Sequence, residues 1–116
     1  MNERSSVFVI SVQPGQEILT TVAEQVGQKG VSRAVIVSLV GAVGSACISN
    51  MPKCDPKSDI LTEYEQPMEM SGTGEIKDGN PHIHCVLGLE GDTTISGHLH
   101  WAKVDHWFVN VYVMPL

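Results

Sequence analysis

The chain has 116 residues, of which 42% are hydrophobic and 17% charged, and its formal net charge is −6. A chain of this length fits one domain, because single cores usually serve about 100–150 residues, so 1–116 is predicted to be a single domain. The apolar runs are far shorter than the roughly 20 residues of a membrane-spanning helix, which excludes a membrane protein of that class. The basic residues are scattered, so no basic stripe is available to DNA phosphates and DNA is an unfavourable partner.

The cysteines and the N-terminus predict a cytoplasmic location. Cys47, Cys54 and Cys85 cannot all pair within one chain, and none belongs to a CxxC motif. The segment Met1–Ser6 leads into a strand-like run without the basic start and long apolar stretch of an export signal. Both features are typical of a protein of the reducing cytosol.

The first half of the chain changes from strand to helix and back. Ser6–Val12 is rich in β-branched residues and ends at a Pro-Gly pair, which predicts a strand. Apolar residues then recur at helical spacing, so Gln16–Lys29 is predicted to be an amphipathic helix, with Gly30 suited to its C-terminal cap. Arg33–Val40 is a nearly continuous apolar run, typical of a strand covered on both faces.

A glycine-containing stretch and a polar loop follow. Gly41-Ala42-Val43-Gly44 predicts a tight bend or a bulge before the short run Ser45–Ser49. Met51–Asp59 contains two prolines and four charged residues, which indicates an exposed loop.

The second half reads as consecutive strands separated by turn signals. The predicted strands are Met68–Ile76, Pro81–Leu89, Thr93–Lys103 and Trp107–Met114. One helix and about seven strands predict an α+β domain built on a mostly antiparallel sheet.

The most informative segment is His82-Ile83-His84, which is followed after a short turn by His98-Leu99-His100. Alternate residues of a strand face the same side, so each His-x-His pair presents two imidazoles to one face. With 90–92 as a three-residue hairpin loop, His84 lies opposite His98 and His82 lies opposite His100. All four histidines then share one face of the sheet.

The opposite face of the same two strands supports this register. It is apolar, as a core face must be, and consists of Ile83, Cys85, Leu87, Leu89, Ile95 and Leu99. A shift by one residue would bury a histidine pair and expose Ile95 and Leu99. A bulge near Gly88 or Gly97 would displace the register.

Three neutral imidazoles suit Zn²⁺ or another divalent transition metal and leave a position open for water or a ligand. We therefore predict a metal site at His82, His84 and His98, with His100 and Glu69 as additional candidates. Glu69 and Glu75 lie on the preceding predicted strand, where either could supply a carboxylate ligand or a general base, although Glu75 fits a solvated charge better. The alternative is that the histidines are only polar residues of a solvated sheet face. No catalytic triad can be located from order or spacing, so no catalytic residue is assigned.

Several motifs, in this order, resemble the plant-and-prokaryote-conserved (PPC) domain over nearly the whole chain. They are Pro14-Gly15-Gln16-Glu17, Val37-Ser38-Leu39-Val40-Gly41-Ala42-Val43-Gly44, Glu69 ahead of Ser71-Gly72, Asp78-Gly79-Asn80-Pro81-His82-Ile83-His84, and Gly97-His98-Leu99. The resemblance is to the stand-alone prokaryotic type. It departs from the family pattern at Ser96, where a glycine is usual, at His100 and Trp101, which are additions, and at Asn110, where Glu is frequent.

The resemblance implies a homotrimer whose sheets pack around a threefold axis. It also implies a metal at His82, His84 and His98, since prokaryotic members that retain these motifs often bind one there. Many members are labelled DNA-binding by analogy with plant proteins, in which a separate AT-hook grips the minor groove. The Arg-Gly-Arg-Pro sequence of such a hook is absent from this chain.

The leading hypothesis is a homotrimeric module, with a regulatory role, that binds a divalent metal or a small-molecule ligand. The first alternative is a metal-dependent enzyme acting on a small carboxylate substrate. It rests on fold analogy, because the PPC fold is distantly similar to acetolactate decarboxylase, which uses a histidine-bound zinc. The second alternative is a DNA-binding protein, as the family is often labelled.

Overall fold

The computed structural model describes residues 7–116, and these form one helix and eight strands. The elements are β1 (Phe8–Val12), α1 (Ile18–Gln28), β2 (Ala34–Val43), β3 (Ser45–Asn50), β4 (Ile60–Tyr64), β5 (Met68–Lys77), β6 (Asn80–Leu89), β7 (Thr93–Lys103) and β8 (Val109–Pro115). All strands join one antiparallel sheet in the order β1-β8-β2-β5-β6-β7-β3-β4. The predicted α+β class with a mostly antiparallel sheet is confirmed.

The predicted number of about seven strands is one too low, because the sequence pattern does not reveal β4. This strand pairs only with β3, at an edge of the sheet, and all but the last of its side chains are exposed. A strand that buries neither face has no alternation of apolar and polar residues to mark it. Its position is decided by pairing with β3.

The predicted first strand begins at Ser6, which lies outside the described residues, as does the rest of the segment considered for an export signal. Within residues 7–116, no helix has the length and apolar character needed to cross a membrane.

The helix begins two residues later than predicted because Glu17 caps it. The Glu17 carboxylate accepts hydrogen bonds from the backbone N–H groups of Leu19 at 2.9 Å and Thr20 at 2.8 Å. It also accepts one at 3.0 Å from the backbone N–H of Ala102 on β7. A single side chain therefore satisfies two of the free N–H groups of the first helical turn and ties the helix to the sheet.

The far end of α1 has the predicted glycine cap. Gly30 has a φ of 70°, and the N–H of Val31 donates to the Val26 carbonyl at 2.9 Å. The apolar side of the helix, with Ile18 and Val22 fully buried, covers one face of the sheet and encloses the core. The other face of the sheet stays open, and the predicted metal ligands His82, His84 and His98 lie there.

A bulge in β2 alters the open face. The register of β2 shifts between Ile36 and Leu39, and both intervening residues, Val37 and Ser38, are exposed. The sequence predicted a bend or a bulge in Gly41–Gly44. The bend is found at Gly44, between β2 and β3, whereas the bulge lies earlier, between Ile36 and Leu39.

Candidate metal centre

The β6–β7 hairpin has the predicted register. His84 pairs with His98, the ladder continues to Leu89 opposite Thr93, and residues 90–92 form the loop. The φ angles of Gly91 and Asp92 are positive, at 81° and 64°, as a three-residue hairpin loop requires near its end. The ladder has no register shift, so neither Gly88 nor Gly97 bulges this pair of strands.

The two faces of the hairpin separate as the pattern predicts. Ile83, Cys85, Leu87 and Leu99 are buried in the core, and Ile95 and Leu89 pack against it. His82 and His84 are exposed on the open face, and His98 is half-buried beside them. The same alternation that forms the core therefore directs three imidazoles to one place.

His82, His84 and His98 form the cluster that could hold a metal ion. One ligand atom from each residue lies within 4.8 Å of the other two. The ring centroids are 4.9 Å apart for His82 and His84, 5.0 Å for His82 and His98, and 5.8 Å for His84 and His98. The β6–β7 hairpin thus brings the three predicted ligands together.

The cluster fits a divalent transition metal after small side-chain rotations. With zinc–nitrogen bonds of about 2.0–2.1 Å, two ligand atoms of a tetrahedral site lie about 3.4 Å apart. The ligand atoms lie within 4.8 Å of one another, so rotations that move them by a few tenths of an ångström to an ångström complete the site. Three nitrogen donors leave at least one coordination position for an exogenous ligand.

His100 occupies a different position from the one predicted. Its ring lies beside that of His98, with centroids 4.9 Å apart, but its Nε2 forms a 2.8 Å hydrogen bond with Oγ of buried Ser49. The β6–β7 ladder ends at the His84–His98 pair and does not include a pair between His82 and His100. The register of β7 against β3 shifts at this point, which turns His100 towards β3.

The carboxylate beside the cluster belongs to Glu75. Glu75 pairs with His82 across β5 and β6, and its Oε2 lies 3.3 Å from His82 Nδ1. Such a contact favours the His82 tautomer that carries its proton on Nδ1 and leaves Nε2 free to bind a metal. Glu69 pairs with Gly88 near the other end of β5, six residues or about 20 Å along the strand, away from the histidines.

Two glycines of β5 let this strand approach the histidine strand closely. A Cβ atom at Gly74 would collide with the backbone carbonyl of His82, and one at Gly72 with the carbonyl of His84. Larger residues would therefore push β5 away from β6 at the level of the cluster. These two glycines keep Glu75 within reach of His82.

Partial burial lowers the pKa of His98. The neighbouring histidines, His100 first and then His82 and His84, lower it further, while the charge of Asp59 acts in the opposite direction. A neutral imidazole is the form that binds a metal, so His98 is available as a ligand over a wider pH range than a free histidine.

A depression of about 820 Å³ adjoins the cluster on the open face. His84 and His98 form part of its wall, and buried Ser49 and Cys85 also contribute to it. Its other polar lining consists mostly of hydroxyl groups, together with Asn50, whose Nδ2 donates to the Ser96 carbonyl at 2.8 Å. Sequence reasoning missed Ser49, Asn50 and Asp59, because no local pattern shows that β3 and the loop before β4 pack beside β7.

His106 and the three cysteines are not part of the histidine cluster. His106 is exposed and lies 3.4 Å from Asp105. Cys47, Cys54 and Cys85 are free thiols, and burial raises the pKa of Cys85 to about 11. A thiol with such a pKa stays protonated at neutral pH, which fits a packing role for Cys85.

The fold and site together define a class: a small antiparallel β protein with one helix on its core face and a histidine cluster on its open face. The family model of the Plants and Prokaryotes Conserved (PCC) domain, the PPC domain named above, matches residues 2–116. The chain therefore belongs to this family. No curated protein matches its sequence at a significant level.

Solved structures share the fold over almost the whole chain. A protein from Archaeoglobus fulgidus, described as metal-containing, is 33% identical with a TM-score of 0.80, and the match covers 98% of this chain and 81% of that one. The PPC protein from Pyrococcus horikoshii is 22% identical with a TM-score of 0.83, covering 100% and 84% of the two chains. A protein from Bacteroides thetaiotaomicron, described as a candidate DNA-binding protein, is 18% identical with a TM-score of 0.80, covering 98% and 80%.

Proposed function

We propose that this chain is a homotrimeric protein that binds a divalent transition metal, such as zinc, through His82, His84 and His98. The observation that carries the proposal is the convergence of three imidazole donors within 4.8 Å on one sheet face. The relative from Archaeoglobus fulgidus, which is 33% identical and described as metal-containing, supports it. A metal held by three nitrogens would supply a Lewis acid with an open position for a small ligand.

The metal proposal is tested by elemental analysis of purified protein, comparing the wild type with His84→Ala. The wild type should contain one metal ion per chain, and the variant should contain almost none, because two imidazoles hold zinc much more weakly than three. His106→Ala is the matched control, since this exposed histidine lies outside the cluster, and it should retain the metal. Metal-free wild-type protein, or a His84→Ala variant with full occupancy, contradicts the proposal.

The homotrimer is supported by the apolar residues of the open sheet face. Val9, Val37 and Val40 are all exposed there, and Val40 is 50% accessible. Exposed apolar area on one sheet face is the surface that assembly covers in closed oligomers. We therefore expect these valines to lie between subunits.

Light scattering measures the mass of the assembly directly. The wild type should have three times the mass of the chain at micromolar concentration, and Val40→Lys should shift the mass towards that of the monomer. Met51→Lys is the control, because Met51 is more exposed than Val40, at 63%, but lies outside the strands. A monomeric wild type, or a trimer unaffected by Val40→Lys, contradicts this part of the proposal.

Duplex DNA is not the proposed partner, although some structural relatives are described as candidate DNA-binding proteins. The chain carries a net charge of −6, and few phosphate contacts can form at that charge. We expect no submicromolar binding at physiological salt. Tight DNA binding that weakens steeply with salt would show that assembly creates a basic surface.

We also propose that the protein is cytoplasmic, and its three free thiols agree with that location.

A further inference from the structure

The depression beside the histidine cluster places additional polar groups where a metal-bound ligand would extend. Two rows of residues cross the sheet there. Thr73, His84, His98 and Ser49 form one row by successive strand pairing, and Ser71, Val86 and Ser96 form the next. A small molecule that reaches the open metal position beside His84 and His98 therefore lies along the second row.

The polar groups of this depression are mainly hydroxyls. Ser38, Ser71, Thr73 and Ser96 line it and are exposed, and within the described residues their hydroxyl groups take part in no side-chain hydrogen bond. Each hydroxyl can both donate and accept a hydrogen bond. Such groups match the hydroxyls of a ligand, which are also donors and acceptors.

The same lining disfavours a second negative charge on the ligand. None of the lining residues is a lysine or an arginine, and the one carboxylate among them is Asp59. An anionic group placed away from the metal would therefore lose its hydration without gaining a cationic partner. Met51 and Val86 add apolar surface against which the carbon chain of a small molecule can pack.

We infer that this depression takes a small polyhydroxylated molecule, such as a sugar acid, with one metal-binding end and an uncharged, hydroxyl-bearing body. This inference rests on the proposed metal site, which supplies the anchor for one end. The hydroxyls of Ser71, Thr73 and Ser96 form hydrogen bonds with the hydroxyl groups of the ligand. The negative charge of Asp59 repels a second anionic group. The ligand is thereby distinguished from a simple fatty carboxylate and from a dicarboxylate.

Three six-carbon probes separate these classes when they are titrated calorimetrically into metal-loaded protein. D-gluconate has one carboxylate and a hydroxylated body, hexanoate lacks the hydroxyls, and D-glucarate has a second carboxylate. Gluconate should bind at least about tenfold more tightly than hexanoate, as expected for two or more hydrogen bonds of ordinary strength. It should also bind more tightly than glucarate.

Variants decide whether the protein or the metal alone recognises the hydroxyls. Ser71→Ala and Thr73→Val should each weaken gluconate binding about threefold to tenfold and leave hexanoate binding unchanged. Asp59→Asn should strengthen glucarate binding selectively. Thr93→Val, which removes an exposed hydroxyl at the hairpin end of β7, is the control and should change nothing.

The outcomes distinguish this inference from the metal proposal, because metal content is measured on every sample. Loaded protein that binds hexanoate or glucarate as tightly as gluconate overturns the inference and leaves the metal proposal intact. The inference also fails when the preference for gluconate persists unchanged in the Ser71 and Thr73 variants, since chelation alone then explains it. Protein that takes up no metal overturns both.

Discussion

His84 and His98 lie directly opposite each other on β6 and β7, with their ring centroids 5.8 Å apart. This pair is the centre of the candidate site, because His82 precedes His84 by one alternation of the same strand and lies within 5.0 Å of both rings. The site is therefore built on two paired strands whose opposite faces are held in the core. A rigid sheet of this kind positions ligands more accurately than a loop does.

Removal of the metal should lower the stability of the wild type and leave that of His84→Ala unchanged. At a free metal concentration about 100-fold above the dissociation constant, binding stabilises the folded state by about 2.7 kcal/mol. A change of that size shifts the melting temperature of a small domain by several degrees or more. Thermal unfolding with and without a chelator measures this difference, and an equal response of both proteins would show that the stabilising ion binds elsewhere.

Glu75→Gln should weaken metal binding by about tenfold. The carboxylate lies 3.3 Å from His82 Nδ1 and favours the tautomer that exposes Nε2. Loss of such a partner typically lowers metal affinity about 10–100-fold. The Glu75 side chain is 66% exposed, and because water screens its charge we expect the lower end of this range. Competition with a chromophoric chelator measures the affinity. Glu69→Gln is the matched control, and equal effects of the two substitutions would exclude a local role for Glu75.

The metal-free protein should lose stability as the pH falls below about 6.5, the ordinary histidine pKa. Burial, followed by the charges of His100, His82 and His84, lowers the pKa of His98 in the folded chain, against the opposing effect of Asp59. The unfolded chain then binds a proton at His98 more readily than the folded chain, so acid favours unfolding. The stability that His98 contributes is fully present above its pKa in the unfolded chain. It is lost as the pH falls through its lower pKa in the folded chain.

Urea unfolding of the metal-free protein at about pH 7.5 and about pH 5.5 measures this effect on either side of the histidine pKa. His98→Gln should show a smaller loss between the two pH values than the wild type does. His106→Gln is the control, because that side chain is exposed, and it should behave as the wild type. A steeper loss in His98→Gln would reverse the assigned direction of the shift.

Gly74→Ala should destabilise the fold by about 1–3 kcal/mol, the usual cost of overpacking. The new Cβ would collide with the His82 carbonyl and lie 3.1 Å from the Cα of Ile83, so β5 and β6 must separate. The metal affinity of this variant should fall as well, because the separation of β5 from β6 moves Glu75 away from His82. Chemical denaturation and chelator competition measure the two quantities.

Gly27→Ala is the control for this substitution. Gly27 lies within α1, and nothing would lie within 4 Å of an added Cβ. Alanine favours the helix there, so stability should rise by about 0.5–1 kcal/mol without a change in metal affinity. A Gly74→Ala variant as stable as Gly27→Ala would show that the β5–β6 contact can relax without cost.

The hairpin and its histidine face were predictable from the sequence because a short turn makes strand pairing a local matter. A three-residue loop leaves few registers open, and the apolar residues Ile83, Leu87 and Leu99 select the one that buries them. The helix was predictable for a similar reason, since its apolar spacing and the glycine beyond its end lie within one segment. Its start was two residues off because the Glu17 carboxylate that caps it is also held by Ala102 on β7, which is remote in the chain.

The tertiary structure alone decided that β3 adjoins the hairpin and which side chains of β3 and β5 lie beside the histidines. The sheet order places β5 on one side and β3 on the other, which brings Glu75 to His82 and Ser49 to His100. No periodicity within β3, β4 or β5 encodes those neighbours, because sheet order depends on burial of the whole core under α1. The sequence therefore determined the three imidazoles and their shared face, while packing of distant strands decided their partners and the hydroxyl-lined depression beside them.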